Sequence, residues 1–323
     1  MLENRFLLLL MALGAPSAFS ATYDNLSPST MSFRIGTTTP VIPLTLQAPK
    51  NSSLGPLMYN QNANSKVGLG LDYSWLGFFV SVGNMESELD KSTYGSSTYG
   101  SSTYSDFQLH SYLGALGVDI FYQEFKGYYL QNTQEVMGET CCDLRDDLVS
   151  RFLGVNLFLV LKPDRLSMGT TNNLTGVQKQ SGGSWMLFGS AGVQEITSGS
   201  VLAPEGFESD YGLIGNAKSA EFATAAAGAG YGYTGMISGS FFIHITGLMG
   251  IGPQWQNLVT RDNGRITETA PAAKVSMRST LGWSGKSTFG GVQVLFDSTN
   301  FQLKEEVLTF NSVLSFLSIG FRI

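Results

Sequence analysis

The chain alternates. Between Asn311 and Ile323 the odd positions Val313, Leu317, Ile319, Phe321 and Ile323 are apolar, and the even positions include Ser312, Ser318, Gly320 and Arg322. Successive side chains of a strand point to opposite faces, so this period of two predicts a strand with one apolar and one polar face. The same pattern runs through 238–252, where Phe241, Ile243, Ile245, Met249 and Ile251 oppose Ser240, His244, Thr246 and Gly250. It recurs in 274–283 and in 149–161. In the latter, Arg151 stands on the apolar face near the strand's start, where a long side chain reaches the headgroup level.

Turn signals near 76–77, 114–117, 162–164, 234–237 and 284–286 are short. They alternate with polar loops at roughly 85–103, 131–147, 198–219, 257–271 and 300–307. Short turns alternating with long loops match an all-β, transmembrane antiparallel up-and-down β-barrel, read here as monomeric. With both termini on the periplasmic side the strand number is even. Counting back from Ile323 makes 183–197 an outgoing strand, and counting forward makes 148–161 an incoming one. Residues 163–182 therefore supply no single spanning strand. Held inside or beneath the barrel they leave about 12 strands, and as a short hairpin they make about 14. The polarity of 172–182 favours 12 and makes Gln178, Lys179 and Gln180 candidate plug residues. The proline-rich stretch after Val41 suits a strand entry, and 31–47 is taken as one strand.

Residues 1–20 read as a signal peptide: Arg5, an apolar run over 6–13, then Ala18 and Ser20 before a cut at Ala21. The barrel is assigned to 21–323. No later run is long and apolar enough for a spanning helix. An exported strand-rich chain points to the outer membrane of a Gram-negative bacterium.

Composition sharpens this. Charged residues are 14%, against about 25% in soluble domains, while Gly (38), Phe (21) and Tyr (13) are abundant. That suits a wall between lipid and water. The net charge of −6 excludes nucleic acid as a partner, since phosphate binding needs clustered Lys and Arg. Cys141 and Cys142 are adjacent and give neither metal spacing nor a disulfide framework. A Ser-Thr-Tyr-Gly-Ser repeat over 92–105 has a period of five, which flips faces in a strand, so 85–105 is expected as an outer loop. Slippage in a tolerant loop explains it; a Tyr/Ser/Gly recognition surface is the alternative.

Four stretches in order, 69–84 (LGLDYSWLGFFVSVGN), 106–132 (DFQLHSYLGALGVDIFYQEFKGYYLQN), 166–190 and 227–253, carry a resemblance. Its strongest pieces are Asp119, Gln123 and Gly127-Tyr128-Tyr129, then Gln178, Gln180-Ser181 and Gly183-Ser184. The chain resembles the uncharacterised bacterial outer-membrane β-barrel family described as domain of unknown function 4421. The resemblance implies an outer-membrane barrel and no activity, so it carries over no catalytic residue.

Alternation nominates lumen-lining candidates: Asp106, Gln108, His110, Asn156, His244, Lys274, Arg278, Gln293, Asp297 and Arg322. Both charge signs occur, so these groups can pair across the lumen or line a narrow water path. Arg278 and Asp297 lie at offset heights. A hydrolase needs a nucleophile beside His110 or His244. Ser240 and Thr246 flank His244, but two residues along a strand is about 7 Å, too far for direct activation. Gly228, Gly230 and Gly232 have the spacing of small residues on one strand face, not of a nucleotide loop. No metal site and no cofactor is expected. The expected partners are the lipid bilayer, lipopolysaccharide and the barrel-assembly machinery. Three readings of function follow: a pore or carrier for a small or lipidic solute, a structural or adhesion barrel acting through its outer loops, and a lipid-modifying enzyme.

Overall fold

A computed structural model describes residues 23–25, 31–49, 54–62, 65–73, 75–85, 100–138, 143–174, 176–302 and 307–323. The signal segment, both cysteines and the first copies of the repeat, up to Tyr99, lie outside them.

Twelve strands close a ring, each antiparallel to its neighbours. In ring order they are β2 (Met31–Val41), β5 (Lys66–Tyr73), β6 (Leu76–Met85), β7 (Ser102–Leu113), β8 (Leu116–Leu130) and β9 (Leu144–Val160). Then come β11 (Gly182–Thr197), β12 (Ala217–Ser238), β13 (Phe241–Thr260), β14 (Arg265–Ser284), β15 (Thr288–Gln302) and β16 (Val307–Arg322). The ring closes where β16 pairs β2, Phe321 opposite Phe33 and Ile319 opposite Ile35. The terminal strand is thus the closing strand, and the count is 12, the number that the polarity of 172–182 favours over 14.

The outer wall is apolar because alternation makes it so. Leu153, Leu157, Leu159, Leu187, Ile243, Ile245, Met249, Ile251, Leu317 and Ile319 all project outward and exposed. Trp185, Tyr231, Tyr233, Phe241 and Phe321 ring the wall near the short turns, and Trp255 stands at the opposite height. An apolar belt flanked by aromatics is the exterior of a transmembrane barrel of the outer-membrane type. The protein sits in the bacterial outer membrane. At the outer edge of the belt, Arg151 pairs with Glu124 (2.6 Å) and Glu195 (3.3 Å).

Three departures from the sequence reading shape the molecule. First, 31–47 is not one strand. After Val41 the chain turns into β3 (Leu44–Leu46) and returns as β4 (Leu57–Asn60). β3 pairs with β16 at Leu308–Phe310, and β4 pairs with β8 at Tyr129–Leu130. Above the belt this hairpin takes the place of β5, β6 and β7, so the wall forks. β8 bends into the fork at a register break between Lys126 and Tyr128, where Gly127 has φ +87°. Ahead of the break β8 alternates in one register, with Asp119 and Gln123 facing in and Glu124 and Lys126 facing out.

Second, the last repeat copy is not loop. Ser102, Tyr104 and Asp106 open β7 on its buried face, because that copy keeps period two. The loop expected over 257–271 is likewise shorter. β13 and β14 run past the belt to Thr260 and from Arg265, with Gln254, Gln256 and Leu258 still buried on the inner face.

Third, 163–182 forms a π-helical turn (Gly169–Asn173) and β10 (Gly176–Gln178), which pairs with β1 (Tyr23–Asn25). It lies at the periplasmic mouth.

Candidate functional site

The barrel interior falls into three levels. At the outer mouth lies an apolar core. Ile42, Leu44, Leu46, Leu57 and Tyr59 come from the β3–β4 hairpin, and Tyr104, Phe125, Tyr128 and Leu130 from β7 and β8. Leu202, Tyr211 and Ile214 come from the loop before β12, which holds α2 (Gly212–Gly215), and Phe222, Leu258, Phe301 and Phe310 from the remaining wall. α1 (Thr133–Met137) lies against it through Val136 and Met137. Several polar groups within the core are satisfied. The Tyr59 hydroxyl donates to the Leu202 carbonyl at 2.5 Å, and the Tyr211 hydroxyl to the Gly55 carbonyl at 2.8 Å. Arg145 donates to the carbonyls of Leu202 and Val201 (3.0 and 2.9 Å) and pairs with Asp147.

Asp147 lies well beyond the outer end of the belt and so outside the membrane. Burial raises its pKa, but Arg145 and the backbone N–H groups of Ser200 and Gly199 outweigh that and hold it at about 2.

The middle level is polar, as the alternation of its strands requires. Arg278 on β14 reaches across to Asp119 on β8 at 2.6 Å, and Tyr112 donates to the other Asp119 oxygen at 2.7 Å. Lys274 donates to Asn156 (3.1 Å) and Ser190 (2.8 Å) among the rings of Phe121, Phe152 and Phe188. Asp106 accepts from Gln108 (2.9 Å) and Gln123 (3.4 Å). His110 lies 3.3 Å from Asp72. Between these groups is a chamber of about 80 Å³, bounded by Arg34, Gln108, His110, Asp119, Arg278, Gln293, Asp297 and Ser318 among others. It has room for a few waters or one small polar molecule.

The periplasmic level is the plug. Leu166 and Met168 pack on Phe158, Phe188 and Leu248, and Leu174 packs on Phe242 and Phe289. Gln293 donates to the Asn172 carbonyl (2.6 Å), Ser284 to the Gly176 carbonyl (2.6 Å), and Arg322 to the Leu174 carbonyl. The groups that fill the mouth are Leu166, Met168 and Leu174, rather than Lys179 and Gln180. Gln178 sits in the β1–β10 pair opposite Tyr23, and Lys179 and Gln180 are exposed. The physical reason is that the inner lining here is aromatic and aliphatic, so the apolar part of the segment enters.

Of the ten interior candidates, Asp106, His110, Asn156, His244, Lys274, Arg278, Gln293 and Arg322 are buried on the inner side of their strands. Gln108 and Asp297 are half-buried and bound the chamber. Arg278 and Asp297 do not pair; Asp119 takes the guanidinium. The histidines lie in separate groups. His244 is held between Thr234 at Nδ1 and Thr246 at Nε2, both at 2.9 Å. Thr246 therefore does reach the ring, contrary to the spacing argument, because neighbouring same-face side chains lean together. With both nitrogens occupied and the residue 1% exposed, the ring has no open edge for a substrate. Arg34, Asp72, Gln194 and Gln254 are buried inside the ring and were not singled out from the sequence. Arg34 was legible, being the even position between outward-facing Phe33 and Ile35.

No curated protein matches the chain. Among solved structures, the Escherichia coli outer-membrane protease OmpT is 9% identical, with 94% of this chain and 100% of that chain covered and a TM-score of 0.40. The Pseudomonas putida toluene transporter TodX is 7% identical, with 92% and 90% covered and a TM-score of 0.30. The Yersinia pestis attachment invasion locus protein Ail is 7% identical, with 91% and 99% covered and a TM-score of 0.20. None of their activities carries over at such scores. A family model does match, from residue 20 to residue 322. The chain is a member of the family described as domain of unknown function (DUF4421).

Proposed function

We propose that the protein is a sealed outer-membrane barrel that works through its outer cap, as a structural or recognition barrel rather than an open pore. The observation that supports this is the apolar core across the outer mouth, built from residues as far apart in the chain as Ile42 and Phe310. Each large side chain in such a core stabilises by roughly 1.5–3 kcal/mol on burial. A conducting state would have to take many of them apart at once. Polar lumen groups that pair with one another, as Arg278 does with Asp119, suit a filled interior equally.

Planar-bilayer recording on the refolded protein tests this. The expected result is no unitary conductance, together with no flux of small sugars or amino acids from liposomes. Stepwise conductance through the wild-type barrel would overturn the reading in favour of a pore.

A further inference from the structure

The two closures are unequal. The outer one is an extended core; the inner one is a single short segment held by a few side chains and hydrogen bonds. The chamber between them therefore belongs, in access, to the periplasmic side. Its most unusual occupant is Arg34. The residue is 7% exposed, forms no ion pair among the described residues, and its Nε has no hydrogen-bond partner there. A buried guanidinium without a carboxylate is costly, since charges taken out of water need a partner.

The surroundings decide what would satisfy it. Phe79 covers the flat face of the guanidinium, 5.4 Å from ring centroid to Cζ. Gly70 backs Nε and Nη2, which leaves the terminal Nη1–Nη2 edge for a ligand. Beside it, Ser318 projects from β16 with its hydroxyl also unpartnered and 6% of the residue exposed. Ser318 lies opposite Gly36, and Arg34 lies opposite Gly320, so the two donors are diagonal neighbours on adjoining strands. The Nε side of Arg34 packs against Gly70 and Ser318 against Gly36, where no side chain would fit, and both donors line the same chamber. The nearest acid along β5, Asp72, is turned to His110. A planar oxyanion matches the parallel N–H pair of a guanidinium edge, and the volume limits it to a few heavy atoms.

We propose that the chamber is a binding site for a small carboxylate, held in the plane of the Arg34 guanidinium with the Ser318 hydroxyl as a third donor and reached from the periplasm past the Leu166–Leu174 segment. Arg278 stays with Asp119 and takes no part. This goes beyond the cap reading and stands or falls separately from it.

The probe is 13C-formate, observed by saturation transfer from the refolded barrel in detergent micelles. Wild-type protein should give a formate signal that excess acetate displaces. Arg34→Gln should lose it, and Ser318→Ala should weaken binding about tenfold. Arg151→Gln, on the outer wall, should bind as wild type, which separates the chamber from guanidinium groups in general. If Arg34→Gln does not fold, as judged by heat-modifiable gel migration, Arg34→Lys keeps the charge, loses the paired edge and should bind at least tenfold more weakly. No formate signal from the wild type, or equal signals from the wild type and the folded Arg34 variant, overturns the proposal and leaves water as the chamber's content.

Discussion

Arg278 and Asp119 meet inside the barrel at 2.6 Å although their strands, β14 and β8, are not neighbours in the ring. The pair is a strut across the interior, and it accounts for why two opposite charges can be buried at this depth. Removing one partner strands the other. Asp119→Leu should destabilise the barrel by about 3–5 kcal/mol, whereas Asp119→Leu with Arg278→Met should recover most of the loss. Urea titration followed by tryptophan fluorescence reads both. Equal losses in the single and double variants would show that the strut contributes through shape alone.

The outer core should behave as a packed interior. Tyr211→Phe removes one hydrogen bond, to the Gly55 carbonyl, and should cost about 0.5–1.5 kcal/mol. Tyr211→Ala also leaves a cavity and should cost about 3–5 kcal/mol. Limited proteolysis from the outer side of proteoliposomes should then cut the cap of the alanine variant at protease levels that spare the wild type and the Phe variant.

The cap should loosen only in strong acid. Asp147 has a depressed folded-state pKa of about 2 against about 3.9 when unfolded. A depressed carboxyl contributes stability that is fully present above the unfolded value and is lost as pH falls through the folded one. Cap resistance to pepsin should therefore drop between about pH 4 and pH 2. Asp147→Asn should remove the drop in that window while lowering resistance to trypsin at neutral pH.

Much of the fold was legible because barrel strands advertise themselves. β13 and β16 alternate along most of their length; parity sets 163–182 aside and leaves twelve or fourteen strands, and the polarity of 172–182 favours twelve. The cap was not legible. Its core residues sit in a proline-rich stretch (Ile42, Leu44, Leu46) and in an irregular loop (Leu202, Tyr211, Ile214), where no period marks an apolar residue as buried. The plug is hard to read for a related reason. Polarity marks an interior segment only where the lining is polar, and the lining here includes Phe242 and Phe289, whose complement is Leu174. Even so, the alternation that nominated Arg322 and Gln293 named two of the side chains that hold the plug.

Those side chains give a further expectation. With Cys141 and Cys142 changed to Ser, Thr171→Cys places a thiol at a buried position of the plug. It should react slowly with a maleimide added from the periplasmic side. Adding Arg322→Met removes charged donors to the Leu174 and Gly285 carbonyls, each worth about 1.5–3 kcal/mol. Labelling should then speed up about tenfold or more. An unchanged rate would mean that apolar packing alone keeps the segment in place.

The forked wall has a consequence for how the protein comes to exist. Apart from its hairpin mate β4, β3 pairs with β16, and the core above it takes Ile42 from the start of the barrel and Phe310 from its end. The cap cannot be a domain that folds early and waits. It is complete only once the first and final strands have come together. Its surface is therefore a certificate of completed insertion: a binder raised against the cap would recognise finished barrels on living cells and ignore every assembly intermediate.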